Sequence, residues 1–443
     1  MSFFPQNFFF PGGVHPDDRK VATQTPIDIP PLLPVYTVPL SMHIGAPAKP
    51  IAKPGDKVLK GQLLAEANGF VSAPVHSPTS GILGPMGTCR NPQGMNIPCF
   101  TVKSDGEDRS IDPWEPLDPH NSSPEELKKR VADAGIVGMG GASFPTVVKL
   151  SPSKPVDVLV LNGVECEPGL TADHRLLLEN SDLVLAGAIT CATILGVKEI
   201  FIGIEANKHD AATYMAEKAA KFGIKVCELK VCYPQGAEKQ LIYTITGRKV
   251  PTGGLPMDVG CVVSNVGTCA AIGDAVLHGK PLYERVTTIT GRPIAKPGKW
   301  RLRVGTPYHE AIAFAGGVTE DPAKIISGGP MMGFAIYDLN IPVMKNTSGL
   351  LLLAADEIVQ YEPHSCIHCG RCNDTCPMLL QPSTITVFTE NGRYEDAEHW
   401  NAMDCIECGC CSYICPAHRP LVQLIRRAKA DIGARRRAAA AKK

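Results

Sequence analysis

Cys366, Cys369, Cys372 and Cys376 precede Pro377, and Cys405, Cys408, Cys411 and Cys415 precede Pro416, so one pattern, Cys-x-x-Cys-x-x-Cys-x-x-x-Cys-Pro, is written twice. Thiolates at this spacing are ligands of cubane iron–sulfur clusters. The two-residue gaps let three thiolates of one tight loop converge on three irons. The fourth, turned away by proline, reaches the other cluster. This assigns Cys366, Cys369, Cys372 and Cys415 to one [4Fe–4S] cluster, and Cys405, Cys408, Cys411 and Cys376 to a second. Gly370 and Gly409 fall between the second and third ligands, where a missing side chain lets backbone amides come near sulfur. Ile367, Ile406 and Ile414 are expected to keep water from the clusters. Zinc is poorly served by three evenly spaced cysteines and a fourth before proline. Cys410 is surplus to the ligand count and has no predicted role.

A second group of residues could hold an organic cofactor. The run Gly138-Met139-Gly140-Gly141-Ala142-Ser143-Phe144-Pro145-Thr146 is a loop whose glycines let backbone amides approach a phosphate or a planar ring, with Lys149 just beyond it. Asn162, Glu165 and Glu167 follow in Asn-Gly-Val-Glu-Cys-Glu-Pro-Gly and suit ribose hydroxyls, a nicotinamide amide or a flavin edge. Cys166, between the two carboxylates, is expected to face away.

The elements that must position these residues are legible in the hydrophobic pattern. Ser123 and Glu126 form a capping box with Pro124 at the first helical position. Leu127, Val131 and Ala134 make one apolar face, and Gly135 stops the helix. Then strands and helices alternate: Val156 to Leu161, helix Leu183 to Leu195, Ile200 to Ile204, helix Ala211 to Phe222, and Ile224 to Val231. Such alternation predicts a parallel sheet covered on both faces, with a ligand crevice at the carboxyl ends of its strands. Earlier, residues 45 to 105 read as short strands and turns. They resemble the barrel-sandwich hybrid of biotinyl and lipoyl domains, but Asn68-Gly69-Phe70 stands where those domains carry a cofactor lysine, so the module is read as structural.

The chain has 443 residues, formal net charge zero and 17 cysteines. Zero charge gives no argument for nucleic-acid binding, and cysteines without a secretory signal indicate ligands in a reducing compartment rather than bridges. No apolar run is long enough to span a bilayer. Outside the cluster motifs, Cys89, Cys99, Cys191, Cys227, Cys232, Cys261 and Cys269 read as buried small residues. Phe3, Phe4, Phe8, Phe9 and Phe10 either fold back on the core or grip a partner or membrane surface. The tail from Arg426 (Arg426, Arg427, Lys429, Arg435, Arg436, Arg437, Lys442, Lys443) reads as a solvated helix or a contact for anionic headgroups.

The Gly-rich loop with Lys149 and the Asn162 to Gly169 run together resemble the flavin-carrying, NADH-oxidising subunit of respiratory complex I. Tyr233-Pro234-Gln235-Gly236-Ala237-Glu238 is similar to that family's Gly-Glu-Glu segment, keeping the last glutamate only. Ser264-Asn265-Val266-Gly267-Thr268 is similar to its Asn-Asn-Val-Glu-Thr segment. Phe10-Pro11-Gly12-Gly13-Val14-His15-Pro16 and the order of modules resemble the C subunit of the Rnf complexes over nearly the whole chain. The resemblance implies an α/β multidomain protein: an N-terminal extension (1–44), a barrel-sandwich-hybrid-like β module (45–115), a Rossmann-like parallel-sheet domain for FMN and NAD(H) (116–290), a small β-grasp module (291–355), a helical two-cluster ferredoxin-like domain (356–425) and the basic tail (426–443). It also implies noncovalent FMN, with Gly138, Gly140, Gly141, Lys149, Asn162, Ser264 and Asn265 around it, and Phe144, Glu165, Glu167 and Glu238 toward NAD(H). Glu167 is the residue placed nearest the hydride chemistry, as a positioning group.

On this resemblance the chain is the peripheral electron-input subunit of a membrane-bound, ion-translocating NADH–ferredoxin oxidoreductase, on the cytoplasmic face. Its partners are integral-membrane subunits and an iron–sulfur subunit. Two alternatives stand beside it. One is a soluble FMN and iron–sulfur cobalamin reductase, and the other an electron relay that binds no nucleotide.

Overall fold

A computed structural model describes residues 3–440. Strands β1 (Val35–Pro39), β2 (Lys57–Val58), β3 (Gly81–Arg90) and β4 (Asn96–Ser104) form an antiparallel sheet in the order β1-β4-β3-β2. A second sheet, from Lys49–Pro50, Leu63–Glu66 and Val75–His76, completes this module around Val38, Leu64, Leu83 and Val102. Its first strand lies before residue 45, so the β module takes in part of the stretch read as an extension. The hairpin Asn68-Gly69-Phe70 is exposed.

Helix α1 (Pro124–Asp133) opens the next domain with the expected capping box: the Ser123 hydroxyl accepts the Glu126 N–H and the Glu126 carboxylate accepts the Ser123 N–H. There follow β5 (Val158–Asn162), α2 (Ala172–Glu179), α3 (Ser181–Leu195), β6 (Glu199–Glu205), α4 (His209–Ala219), β7 (Lys225–Leu229), α5 (Glu238–Thr246), β8 (Cys261–Asn265) and α6 (Val266–Leu277). The four strands are parallel in the order β7-β6-β5-β8. Alternate residues serve opposite faces. Leu159, Leu161, Ile202 and Ile204 pack toward α1, α3 and α6, whereas Val158, Val160, Phe201 and Val263 pack toward α5. Both faces are covered, which is why these strands read as continuous apolar runs.

The next sheet contains β9 (Glu284–Thr290), β10 (Gly298–Arg303), β11 (Lys324–Ser327), β12 (Phe334–Ile336) and β13 (Gly349–Leu353), with Ile27–Asp28 added parallel to β10. Strand β9 precedes residue 291, so this module begins inside the stretch assigned to the flavin domain. The reason is the hairpin at Gly291, whose φ of +120° suits a glycine and whose two strands must share a sheet.

The cysteine-rich region is a set of short helices closed by α7 (Leu421–Ala440), with Ile385, Ala397, Ile425 and Ile432 in its core. Among the described residues the basic tail continues this helix, packed through Ile425, Ala428 and Ile432 and exposed from residue 434 to 440. Arg426 and Lys429 both pair with Glu407, at 2.9 and 2.5 Å, and Arg436 pairs with Glu398. Lys442 and Lys443 lie outside the described residues. At the other end Phe4 packs on Phe201 with ring centroids 5.0 Å apart and Phe10 is buried, so this aromatic segment folds back on the parallel-sheet domain, leaving Phe8 and Phe9 partly exposed. Among the described residues no single helix is long and apolar enough to cross a membrane.

Candidate flavin crevice and cluster sites

The order β7-β6-β5-β8 means that the chain leaves β5 in one direction for β6 and β7 and returns on the other side as β8. The crevice at the carboxyl ends of β5 and β8 is thus a topological switch point, the usual ligand position in such sheets. Asn162 and Asn265 end these two strands as register partners. The Asn265 side-chain oxygen accepts the N–H groups of Gly267 and Thr268 at 2.9 and 3.2 Å and caps α6, while its amide donates to Asp173 at 2.6 Å. The Asn162 amide donates to the Gly236 carbonyl at 2.7 Å. Burial, aided by the neighbouring Glu165, pushes the Asp173 carboxyl up to about 7.

The Gly-rich loop folds over this crevice. The Gly138 N–H bonds the Phe144 carbonyl at 2.9 Å and the Met139 N–H bonds the Thr268 hydroxyl at 2.9 Å. A Cβ at Gly140 would stand 2.8 Å from the Asn265 amide nitrogen, so only glycine admits this approach. Gly140 and Gly141 are exposed, and Phe144 is half-buried. The Lys149 ammonium donates to Glu238 at 2.7 Å and to the Val263 carbonyl at 2.9 Å. Ser264 is buried and accepts from the Cys269 thiol at 3.4 Å.

Two further residues of this loop, not singled out as candidates from the sequence, are Ser143 and Thr146. Both hydroxyls are buried without a hydrogen-bond partner, close in the chain to Lys149. Unpaired buried hydroxyls are costly, and in the same loop as the exposed Gly140 and Gly141, just ahead of Lys149, they fit an anionic group such as a phosphate. Their signal lies in the Ser-Phe-Pro-Thr run, where they look like ordinary turn residues.

The two acidic residues are held otherwise than a bare crevice mouth would suggest. Glu165 accepts the N–H groups of Asp173 and His174 at 2.8 and 3.2 Å, at the start of α2. Glu167 accepts the N–H groups of Met331 and Met332 at 3.0 and 2.8 Å, which belong to the loop between β11 and β12 of the next module. Burial pushes Glu167 up to about 7. The loop between them is held from behind by Lys20, which donates to the carbonyls of Glu165, Glu167 and Leu170 at 3.0, 3.1 and 2.6 Å. Nothing in local sequence links Lys20 to a loop so far along the chain. A wide cavity of about 840 Å³ lies beyond Lys20, lined by Asp17, His174, Lys208 and Thr290, and holds none of the predicted cofactor residues.

The cysteine motifs fold as twin loops. His368 and Gly370 in the first, and Glu407 and Gly409 in the second, take the same left-handed backbone. Backbone N–H groups point at sulfur in both: His368 to Cys366 at 3.4 Å and Glu407 to Cys405 at 3.3 Å. Cys376, Cys405, Cys408 and Cys411 line one pocket with Pro377, Leu380, Val422 and Ile425. The predicted set thus takes its fourth thiol from the other motif, and the surplus Cys410 lines the same pocket. Burial pushes the Cys405 thiol up to about 11, an environment that leaves a cluster's iron to stabilise the thiolate. Cys366, Cys372 and Cys415 are half-buried and Cys369 is exposed; Cys366 and Cys415 neighbour a backbone bond from His364 to Ala417 of 2.9 Å. Ile367 is 66% exposed, so it does not shield the first set from water as expected: its loop faces outward rather than into the domain core. Cys166 is not turned away but packs against Gly236 beside Tyr233 and Cys408, and Cys89 is only partly buried.

Sequence models of four families match this chain: the RnfC barrel sandwich hybrid domain over residues 8–107, the Nuo51 FMN-binding domain over 131–274, the SLBB domain over 286–335 and a 4Fe-4S dicluster domain over 358–416. The C subunit of the proton-translocating ferredoxin:NAD(+) oxidoreductase complex of Clostridium ljungdahlii is 48% identical over 95% of this chain and 93% of its own length. The C subunit of the Na(+)-translocating ferredoxin:NAD(+) oxidoreductase complex of Acetobacterium woodii is 46% identical over 97% and 98%. The C subunit of the ion-translocating oxidoreductase complex of Rhodobacter capsulatus is 42% identical over 97% and 84%. Among solved structures, an NAD+-reducing [NiFe]-hydrogenase in the H2-reduced state shares the fold with a TM-score of 0.50 at 17% identity, over 71% of this chain and 64% of that one.

Proposed function

The chain belongs to the RnfC family, the C subunits of ion-translocating ferredoxin:NAD(+) oxidoreductase complexes, and we propose that it is the subunit in which NAD(H) exchanges electrons with FMN and two [4Fe–4S] clusters pass them on singly. When bound, FMN converts the two-electron chemistry of the nicotinamide into the one-electron chemistry of iron–sulfur clusters. Lys149, Ser143, Thr146 and the amides of Gly140 and Gly141 hold the phosphate. Asn162 and Asn265, fixed by their own hydrogen bonds, present the strand ends to the ring system. Phe144 and Glu238 lie toward the dinucleotide. Glu165 and Glu167 act by fixing the loop backbone, because both carboxylates already accept two N–H groups.

Cluster order follows from burial. The set completed by Cys376 lies against the flavin domain and receives electrons first. The set with exposed Cys369 is the outlet to the next carrier. The partners are other subunits of the complex, including integral-membrane ones and an iron–sulfur subunit, and the chain sits peripherally on the cytoplasmic face. Full-length similarity to RnfC relatives favours this reading over the cobalamin reductase, and the unpaired Ser143 and Thr146 hydroxyls beside Lys149 favour it over a relay without nucleotide.

The observation that carries the reading is the joining, in one polypeptide, of a switch-point crevice with unpaired hydroxyls in its Gly-rich loop to a pocket lined by Cys376 of the first motif and by Cys405, Cys408, Cys410 and Cys411 of the second. The test is anaerobic purification of the full chain with FMN and iron counted together, followed by NADH. Bleaching of both flavin and cluster absorption is expected, and Lys149→Met should lose FMN while keeping iron. A chain with full iron that retains no FMN and does not respond to NADH defeats the proposal.

A further inference from the structure

Segment 233–240 touches the crevice at one point and the second cluster's two polypeptide arms at two others. At the crevice the Gly236 carbonyl accepts the Asn162 amide at 2.7 Å. Three residues earlier the buried Tyr233 hydroxyl donates to the carbonyl of Cys408, the central ligand of the second motif, at 2.8 Å. Four residues later the buried Gln240 amide donates to the carbonyl of Pro377, which follows Cys376, at 3.1 Å. Cys408 and Cys376 come from different motifs, so these two side chains grip both arms that close around one pocket. Tyr233 is itself fixed: its backbone exchanges two hydrogen bonds with Val14, of 2.8 and 2.9 Å, and its carbonyl lies 3.9 Å from the thiols of Cys232 and Cys410. Neither Tyr233 nor Gln240 is a predicted ligand; each sets a buried donor on a carbonyl at or next to one.

We propose that Tyr233 and Gln240 are positioning residues for electron transfer, a two-point clamp that fixes the second-motif cluster against the flavin crevice. The proposal rests on the electron-input reading above. Groups just outside a metal site's ligands orient those ligands and tune the centre, and their loss typically costs about 10- to 100-fold in affinity or activity. Hydrogen bonding around a cluster also sets its potential. The O–H of Tyr233, by donating to the Cys408 carbonyl, offsets the negative end of that backbone dipole near the thiol, which favours the more negative, reduced cluster. The electron that leaves the reduced flavin is the one the cluster gains, so a change in the clamp alters the rate of that single step.

The experiment uses the full chain with FMN and clusters loaded, as wild type, Tyr233→Phe and Gln240→Leu. Rapid mixing with NADH follows flavin and cluster signals separately, and an anaerobic redox titration reads each cluster. Flavin reduction should keep its wild-type rate in both variants, while cluster reduction slows by about tenfold. The second-motif cluster should shift to lower potential in Tyr233→Phe with the first unmoved. Loss of one cluster's iron with FMN retained in Gln240→Leu also supports the clamp. Wild-type transfer rates and potentials in both variants overturn it. If wild type itself shows no flavin or cluster response to NADH, the electron-input reading has failed, which is a separate result.

Discussion

At the scale of single residues, the cysteines show how chemistry written in sequence is sorted by position in space. Cys376 lies within the first motif but lines the pocket of Cys405, Cys408 and Cys411. Changing Cys376 to Ser should therefore disturb the paramagnetic signal of the second-motif cluster and spare that of the first. A loss confined to the first would refute the crossed assignment. The eight candidate ligand positions were legible because spacing alone dictates which thiolates share a loop. The crevice was less so. Asn162, Asn265 and Gly140 do meet at the sheet end, with Lys149 bonded to the Val263 carbonyl of the same strand as Asn265, but the unpaired state of the Ser143 and Thr146 hydroxyls emerges only on folding. Glu167, placed by sequence beside the hydride chemistry, has its carboxylate bonded to the Met331 and Met332 amides, a partnership between modules that no local pattern announces.

At the scale of elements, the N-terminal Phe10-Pro11-Gly12-Gly13-Val14 segment is a strap between two domains. The Gly13 N–H bonds the Thr375 carbonyl at 2.8 Å, next to Cys376, while Val14 pairs with Tyr233. Gly12 and Gly13 have φ of +74° and +85°, and a Cβ at Gly13 would stand 2.7 Å from the Cys232 sulfur. Gly13→Ala should therefore weaken this docking by at least about 1–2 kcal/mol from left-handed backbone alone. The expected outcome is faster limited proteolysis between the flavin and cluster domains, with FMN binding kept; unchanged proteolysis would show that the strap is dispensable. The alternation of β5 to β8 with helices was readable because each strand is buried on both faces. The boundaries 45 and 291 were not, because β1 and β9 find their partners only in the folded sheets.

At the scale of the whole molecule, one buried lysine joins three modules. Lys345 donates to the carbonyls of Pro74 in the β module and Gly135 in the flavin domain, at 2.6 and 2.7 Å. Burial lowers it from 10.5 to about 7. The unfolded chain keeps this proton up to the ordinary lysine range and the folded chain releases it near 7. Between these values the unfolded state binds more protons, so this group makes stability rise with pH above 7. Glu167, raised from 4.5 to about 7, acts in the adjoining window with the opposite sign: stability falls as pH rises from 4.5 to 7. Melting temperatures of wild type and Lys345→Met between pH 7 and 9 should diverge, with the smaller rise in the variant. Parallel curves would show that folding leaves the proton affinity of this lysine unchanged.

The sequence alone determined the candidate ligand thiols, the capped and alternating elements of the flavin domain, and the family, because spacing, periodicity and turn chemistry act between near neighbours. Tertiary structure alone decided which twin motif faces the flavin crevice, which hydroxyls of the Gly-rich loop stay unpaired, and that Lys20, Tyr233, Gln240 and Lys345 tie the modules together. Those ties join residues far apart in the chain, and only packing, which costs any buried polar group left without a partner, selects them.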